Sequence, residues 1–174
     1  MPQGKRCHRE ELIVNPSVPS YESMLPDNMD IVRIVTVAPD ALDAEKLIRY
    51  LQDNGVVASI GHTTATYEQC QVAFKSGAKH CTHFYNAMSP LKHREPGAVG
   101  ALLENVDVTI ELIADLIHVH PAALKLAYRL KAPSHIALIT DSTVATGLKD
   151  GKYICGGLEV SVQKGSVRLS DGTL

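Results

Sequence analysis

The tightest constraint on how this chain folds lies between Ser59 and Met88, SIGHTTATYEQCQVAFKSGAKHCTHFYNAM. Two apolar runs each end in a polar pair containing histidine, Gly61-His62 after the first and Thr82-His83 after the second, with one amphipathic helical pattern between them. A strand–helix–strand unit of this kind makes two parallel neighbouring strands, which sets both imidazoles side by side at one end of a sheet. Neutral imidazole ligates zinc and similar divalent ions, so His62 and His83 are the candidate metal ligands. Taken singly, each reads better as a satisfied buried histidine; as equivalent positions on adjacent strands, the metal reading gains. Two ligands fall short of the three protein ligands usual at a catalytic zinc, and this reading supplies no third.

The same cycle recurs along the chain. A strand is expected over Val32–Val37, then a helix that Asp40 can cap, with Ala44, Leu47, Ile48 and Leu51 on one stripe and Gly55 at its end. Val56–Ile60 and Ala78–Phe84 read as the next strands; the helix between them opens on the capping-box pair Thr66 and Gln69 and stops at Gly77. A short helix over Ala98–Glu104 and a strand over Val106–Ile113 follow. His120-Pro121 then opens a helix with Ala123, Leu126, Ala127 and Leu130 as its apolar face, and His135–Thr140 is the last buried strand. Beyond Gly147 the pattern changes to glycine-punctuated β-hairpins, and residues 1–29, rich in Pro, Ser and Asn, read as a loop or partly helical lead-in.

Apolar strands alternating with helices call for a parallel sheet in an α/β fold. Active groups of such folds gather at the C-terminal strand ends, where this chain carries Asp40, His62, His83, Asp115 with His118, and Asp141. Titratable groups after nearly every strand favour a (β/α)-barrel, or a piece of one, over a doubly wound sheet. Asp141 suits a general base that takes a proton from water and returns it to a leaving group; the plainer alternative is a cap on the next segment. His118 could donate a hydrogen bond to a substrate carbonyl or be an ordinary loop histidine. Arg94, in a loop with Asn86, suits an oxyanion such as phosphate, or is a solvated loop arginine. His80, His93, His120 and His135 read as structural or surface residues, and His8 is undecided. No P-loop, GxGxxG or GxSxG motif occurs.

With 174 residues, 45% of them hydrophobic and 21% charged, the chain is expected to form one soluble globular domain. A formal net charge of −2 gives no reason to expect nucleic acid or an anionic membrane as partner. No run is long enough for a membrane span, and MPQGKRCHREE lacks a signal peptide's apolar stretch. The four cysteines, Cys7, Cys70, Cys81 and Cys155, form no CxxC pair and read as free thiols of a reducing, cytoplasmic compartment.

GHTTA, THFYNAM, HREPG, IADLIHVHP and LITDST, in this order and spacing, resemble the N-acetylglucosamine-6-phosphate deacetylase family of the amidohydrolase superfamily; TVAPD and GKRCH look like family segments too. The resemblance implies a metal-dependent (β/α)8 barrel that hydrolyses the acetamide of a phosphorylated amino sugar, giving acetate and glucosamine 6-phosphate. Position by position it makes His62 and His83 metal ligands and Asp141 the catalytic acid/base. It gives His118 a substrate contact, Arg94 with Asn86-Ala87 the phosphate, and His8 a loop close to the substrate pocket. The implied cofactor is a divalent ion, zinc first, with iron or another as alternatives. The implied partner is a small amino-sugar phosphate; the two unpaired edge strands that a partial barrel leaves make the chain expected to be poorly stable or a homo-oligomer such as a dimer. A third metal ligand, a glutamate in a His-Leu-Glu-Gly-Pro motif, is expected ahead of GKRCH, before Met1. Leu116 and Ser142 stand where glycine and alanine are usual. The expectation is therefore a partial (β/α)8 TIM-type barrel, about strands four to eight, forming one domain over 1–174 with a C-terminal β-hairpin extension over 144–174. Its alternatives in function are a catalytically inactive fragment or pseudoenzyme, and a sugar-phosphate binding module without hydrolysis.

Overall fold

In a computed structural model, which describes residues 15–24 and 29–172, the chain forms two sheets. A short helix, α1 (Val18–Met24), precedes the alternating run β1 (Ile34–Val37), α2 (Ala44–Asp53), β2 (Val57–Ile60), α3 (Tyr67–Lys75), β3 (His80–Cys81), α4 (Gly97–Glu104), β4 (Thr109–Ile113), α5 (Pro121–Leu130) and β5 (Ile136–Ile139). All neighbouring pairs in this sheet are parallel, and the strand order is β1-β2-β3-β4-β5. Sequential order matters. Crossovers of one hand that never reverse direction lay every helix on the same face, whereas a doubly wound sheet needs a reversal point.

The helix stripes explain the packing. Ala44, Leu47, Ile48 and Leu51 of α2 are all buried, as the 3.6-residue period requires, and each large side chain contributes about 1.5–3 kcal/mol by leaving water. Helix α3 starts on a complete capping box, Thr66 accepting from the Gln69 amide while the Gln69 side chain accepts from the Thr66 amide. His120 caps α5 through Nδ1, which accepts from the Ala122 amide at 3.1 Å, and Pro121 follows at the first helical position. Gly55, just past α2, sits at φ 71, the left-handed geometry that ends a helix.

Four expectations need correction. Asp40 does not cap α2, because Asp43 holds the N-cap position; its carboxylate turns instead to the loop after β2. The strand expected over 78–84 shrinks to His80–Cys81, because His83 takes a positive φ of 33 that no strand can contain. On α5 only Ala127 is fully buried, with Leu124 packed beside it, while Leu126 and Leu130 stay more than half exposed. Nor is β5 a buried strand, for Leu138 is 74% exposed although its register partner on β4, Leu112, is 3% exposed. The last two corrections share a cause on one flank: among the described residues no further helix follows β5 to cover it.

On the sheet face away from the helices a row of polar side chains crosses four strands. Thr36 is in register with Ser59, Ser59 with His80, and Glu111 lies two residues beyond Thr109, the register partner of His80. They are linked: Thr36 Oγ1 to Thr82 Oγ1 at 2.8 Å, Thr82 Oγ1 to Ser59 Oγ at 2.6 Å, Ser59 Oγ to His80 Nδ1 at 3.0 Å, and His80 Nε2 to Glu111 Oε1 at 3.8 Å. Burial pushes His80 below its ordinary pKa against the pull of Glu111. Gly61 sits against the same row, where a Cβ would come 2.7 Å from Thr36 Cγ2 and 3.0 Å from Thr82 Cβ.

The second sheet is an antiparallel meander, β6 (Gly151–Cys155), β7 (Leu158–Gln163) and β8 (Ser166–Leu169). Two-residue turns close both hairpins, Gly156-Gly157 and Lys164-Gly165, with φ positive at all four positions, as the favoured hairpin twist demands. Val160 and Val162 form its buried side opposite Leu169 and Val167.

Candidate active site

The loops at the C-terminal ends of β2, β3, β4 and β5 meet the meander around a cavity of about 410 Å³. Into it the strand ends bring His62, His83, Asn86, Ala87, Asp115, His118 and Asp141, and the meander adds an apolar wall that includes Cys155, Val160, Val167 and Leu169. Backbone strain concentrates here. His62, His83, Tyr85, Ala87, Leu116 and Asp141 all have positive φ, a geometry that non-glycine residues hold only where neighbours enforce it.

The two histidines converge. His83 Nε2 lies 2.8 Å from His62 Nε2, and the rings meet edge to face with centroids 4.5 Å apart. His83 is buried, and its Nδ1 has no hydrogen-bond partner. Two imidazole nitrogens 2.8 Å apart, with His83 Nδ1 otherwise unpartnered, are donors of the type a divalent ion takes. Among the described residues no group of three or more His, Cys, Asp or Glu side chains is placed to hold a metal.

The turn carrying His62 is tied down by Asp40. Its carboxylate accepts hydrogen bonds from Thr63 Oγ1, from Thr64 Oγ1 at 2.6 Å and from the Thr64 amide at 3.2 Å. Burial works against its charge, but these donors outweigh it, and Asp40 titrates below its ordinary value. A carboxylate with a folded pKa below its unfolded one stabilises above the unfolded value near 3.8 and loses that contribution as pH falls through the folded value. Asp40→Asn is therefore expected to cost about 1–2 kcal/mol at pH 7, the modest end because the group is half exposed. The gap from wild type should narrow below about pH 3.8 in urea titrations followed by circular dichroism; an equal gap at pH 7 and pH 3 would count against the charge-assisted role.

Asp115 organises its loop similarly. Oδ1 accepts from the Ile117 and His118 amides at 2.9 Å, and Oδ2 faces His118 Nδ1 at 2.6 Å. Burial opposes the charge of Asp115, yet these bonds prevail and lower its pKa. With Nδ1 engaged, His118 keeps Nε2 for a ligand. Asn86 Nδ2 donates to the carbonyls of His83 at 3.1 Å and Phe84 at 3.3 Å, and the Thr63 amide donates to Ala87 O at 3.0 Å, so the loops after β2 and β3 hold each other.

Arg94 is not among the residues lining the cavity; it is exposed, with Nη1 2.8 Å from His93 Nε2. His8 and Cys7 lie outside the described residues. Cys70, Cys81 and Cys155 are free thiols; burial pushes Cys70 up to about 12 and raises Cys81 well above its ordinary value, which keeps both thiols protonated at neutral pH. The sequence reading missed the parts of Asp40 and Glu111. For Glu111 a signal existed: a lone carboxylate inside the apolar strand TIELI needs a partner.

No protein-family model matches the chain. The chain is 51% identical over 144 residues to the N-acetylglucosamine-6-phosphate deacetylase of Bacillus subtilis, covering 83% of this chain and 36% of that protein. It is 40% identical over 173 residues to the N-acetylgalactosamine-6-phosphate deacetylase of Escherichia coli O157:H7, covering 99% and 46%. Among solved structures, a Mycobacterium smegmatis N-acetyl-D-glucosamine-6-phosphate deacetylase variant in complex with N-acetyl-D-glucosamine-6-phosphate matches with a TM-score of 0.90 at 39% identity, over 94% of this chain and 43% of that one. The Thermotoga maritima N-acetylglucosamine-6-phosphate deacetylase matches with a TM-score of 0.89 at 40% identity, over 100% and 47%. The chain spans less than half the length of these relatives.

A sequentially ordered parallel sheet with its polar groups at the C-terminal strand ends, aligned with these relatives, makes this an α/β protein of the sugar-phosphate deacetylase class. Its family is that of the N-acetylglucosamine-6-phosphate deacetylases.

Proposed function

We propose that this chain forms the catalytic face of a deacetylase that hydrolyses the acetamide of N-acetylglucosamine 6-phosphate, or of a close epimer, to acetate and the free amino sugar phosphate. The observation that carries the reading is the convergence of His62 and His83 Nε2 at 2.8 Å in the cavity that Asp141 also lines. His62 and His83 would hold a divalent ion, zinc by the nitrogen character of the donors. Such an ion, when bound, polarises the amide carbonyl and makes water a better nucleophile. Asp141 accepts the proton from the attacking water and passes it to the departing amine. His118, anchored by Asp115, places Nε2 toward the carbonyl. Asn86 and Ala87 meet the phosphate end in this reading, with Arg94 as its cationic partner. The sheet is read as strands four to eight of a (β/α)8 barrel, with the meander as its extension in one domain of a cytoplasmic protein.

Acetate release from N-acetylglucosamine 6-phosphate and from its galacto epimer tests the reading, with zinc added. One observation favours a second reading: the described residues supply two histidines and no third ligand, which suits a sugar-phosphate binding module without hydrolysis, or an inactive chain. Saturable binding of the sugar phosphate without acetate would select the binding module.

Self-association is part of the proposal. The outer edges of β1 and β5 have no strand partner among the described residues, and Ile34 and Leu138 on them are 50% and 74% exposed. Open apolar edges pair with other chains. Sedimentation velocity should show a dimer or larger species growing with concentration; a concentration-independent monomer would end this part.

A further inference from the structure

We propose that Glu111 is a positioning residue: from the neighbouring strand it holds His83 in the left-handed conformation that aims its ring at His62. The inference rests on the functional reading above only for the use of the histidine pair, and on geometry for the rest. His83 has φ 33, a conformation that costs about 1–3 kcal/mol for a non-glycine residue and persists only where surroundings enforce it. Glu111 grips this turn at two points. Its Oε2 accepts from the His83 amide at 3.1 Å, and its own backbone carbonyl accepts from the Phe84 amide at 2.8 Å. The second carboxylate oxygen faces His80 Nε2 at 3.8 Å, and His80 is fixed by Ser59 Oγ at 3.0 Å. The carboxylate is thus braced from β2 and β3 while it pins the end of β3.

The paired residues of β3 and β4 do not extend to His83 itself. The β3–β4 register stops at Cys81 opposite Ile110, one strand residue before the chain must turn, and Glu111 continues the pairing by a side-chain bond where the backbone leaves the ladder. His62 is treated alike, since Asp40, from the end of β1, binds Thr63 and Thr64 next to it. Each of the two histidines therefore sits on a strained turn clamped by a carboxylate from an adjacent strand. Partners one step removed from a ligand typically change metal affinity about 10–100-fold when lost.

The test uses the whole chain, wild type and three variants, with Zn2+ as probe. Glu111→Gln keeps an acceptor oxygen at the same reach without charge; Glu111→Asp keeps the charge but is one methylene short; Glu111→Leu loses both. Backbone amide spectra report the His83 N–H directly, and isothermal titration reports Zn2+ affinity. The proposal expects Glu111→Gln to keep the His83 amide position and bind Zn2+ within about three-fold of wild type, and Glu111→Asp and Glu111→Leu to shift that amide and bind about ten-fold or more weakly. If Glu111→Leu does not fold, the Gln–Asp comparison decides alone. A reversed order, with Asp near wild type and Gln impaired, overturns positioning in favour of charge, and unshifted His83 amides in all three overturn it outright. Absence of saturable Zn2+ binding in the wild type defeats the metal reading instead, and the His83 amide then decides the positioning role by itself.

Discussion

Replacing Asp141 by asparagine should lower acetate release from N-acetylglucosamine 6-phosphate by about two to four orders of magnitude, the range general acid–base groups contribute. The substitution isolates proton transfer. Asparagine has the same outline and can accept a hydrogen bond, but it cannot take up a proton at neutral pH. Asp141 is exposed at the end of β5 and lines the cavity, so no core is disturbed. Its φ of 52 is a conformation asparagine tolerates well, so the loop should keep its shape. The loss should therefore appear in kcat, with KM for the sugar phosphate changed little and the thermal midpoint unmoved. Activity within ten-fold of wild type would remove Asp141 from the role of base and favour a reading without hydrolysis.

How far the sequence discloses this site depends on the kind of signal each residue leaves. His62 and His83 were legible because each ends an apolar run, and strand ends are where a parallel sheet puts its functional groups. Helix starts were legible too: the Thr66–Gln69 box and the His120-Pro121 cap both form, being interactions within three residues. Asp40 was misread for the opposite reason. A capping position and a bond to Thr63 and Thr64 look alike until the second strand is laid beside the first. The row Thr36, Ser59, His80 and Glu111 was hidden because each member interrupts its own apolar strand only once, and only the register joins them. Hydrophobicity likewise marked β5 and one stripe of α5 as buried. It reports what a residue prefers, not whether a neighbouring helix is there to cover Leu126, Leu130 and Leu138. Arg94 lies in a loop without period, where sequence suggests a partner by charge but cannot fix a position.

Fold and site are joined most tightly at Phe84, and Phe84→Ala should produce the largest loss of stability among single substitutions near the site. Phe84 is 0% exposed and among the largest fully buried side chains. Its ring lies 4.1 Å from that of Tyr85, and its amide bonds to Glu111 O. Truncating a buried phenylalanine costs about 3–5 kcal/mol, while a whole domain commonly has about 5–15 kcal/mol in total. The variant should thus lose about a fifth of its stability or more, read as a lower urea midpoint at unchanged slope. Because Phe84 directly follows His83, the cavity it leaves lies behind the strained turn, and relaxation into it should also loosen the His62–His83 contact. Phe84→Leu refills most of the volume and should recover much of the stability. If it also recovers the His83 amide position, packing behind the turn contributes to aiming the ring. Should Phe84→Ala instead cost less than about 1 kcal/mol, the region around β3 is not the close-packed centre that Ile60, Phe84, Leu102 and Ile110 describe together.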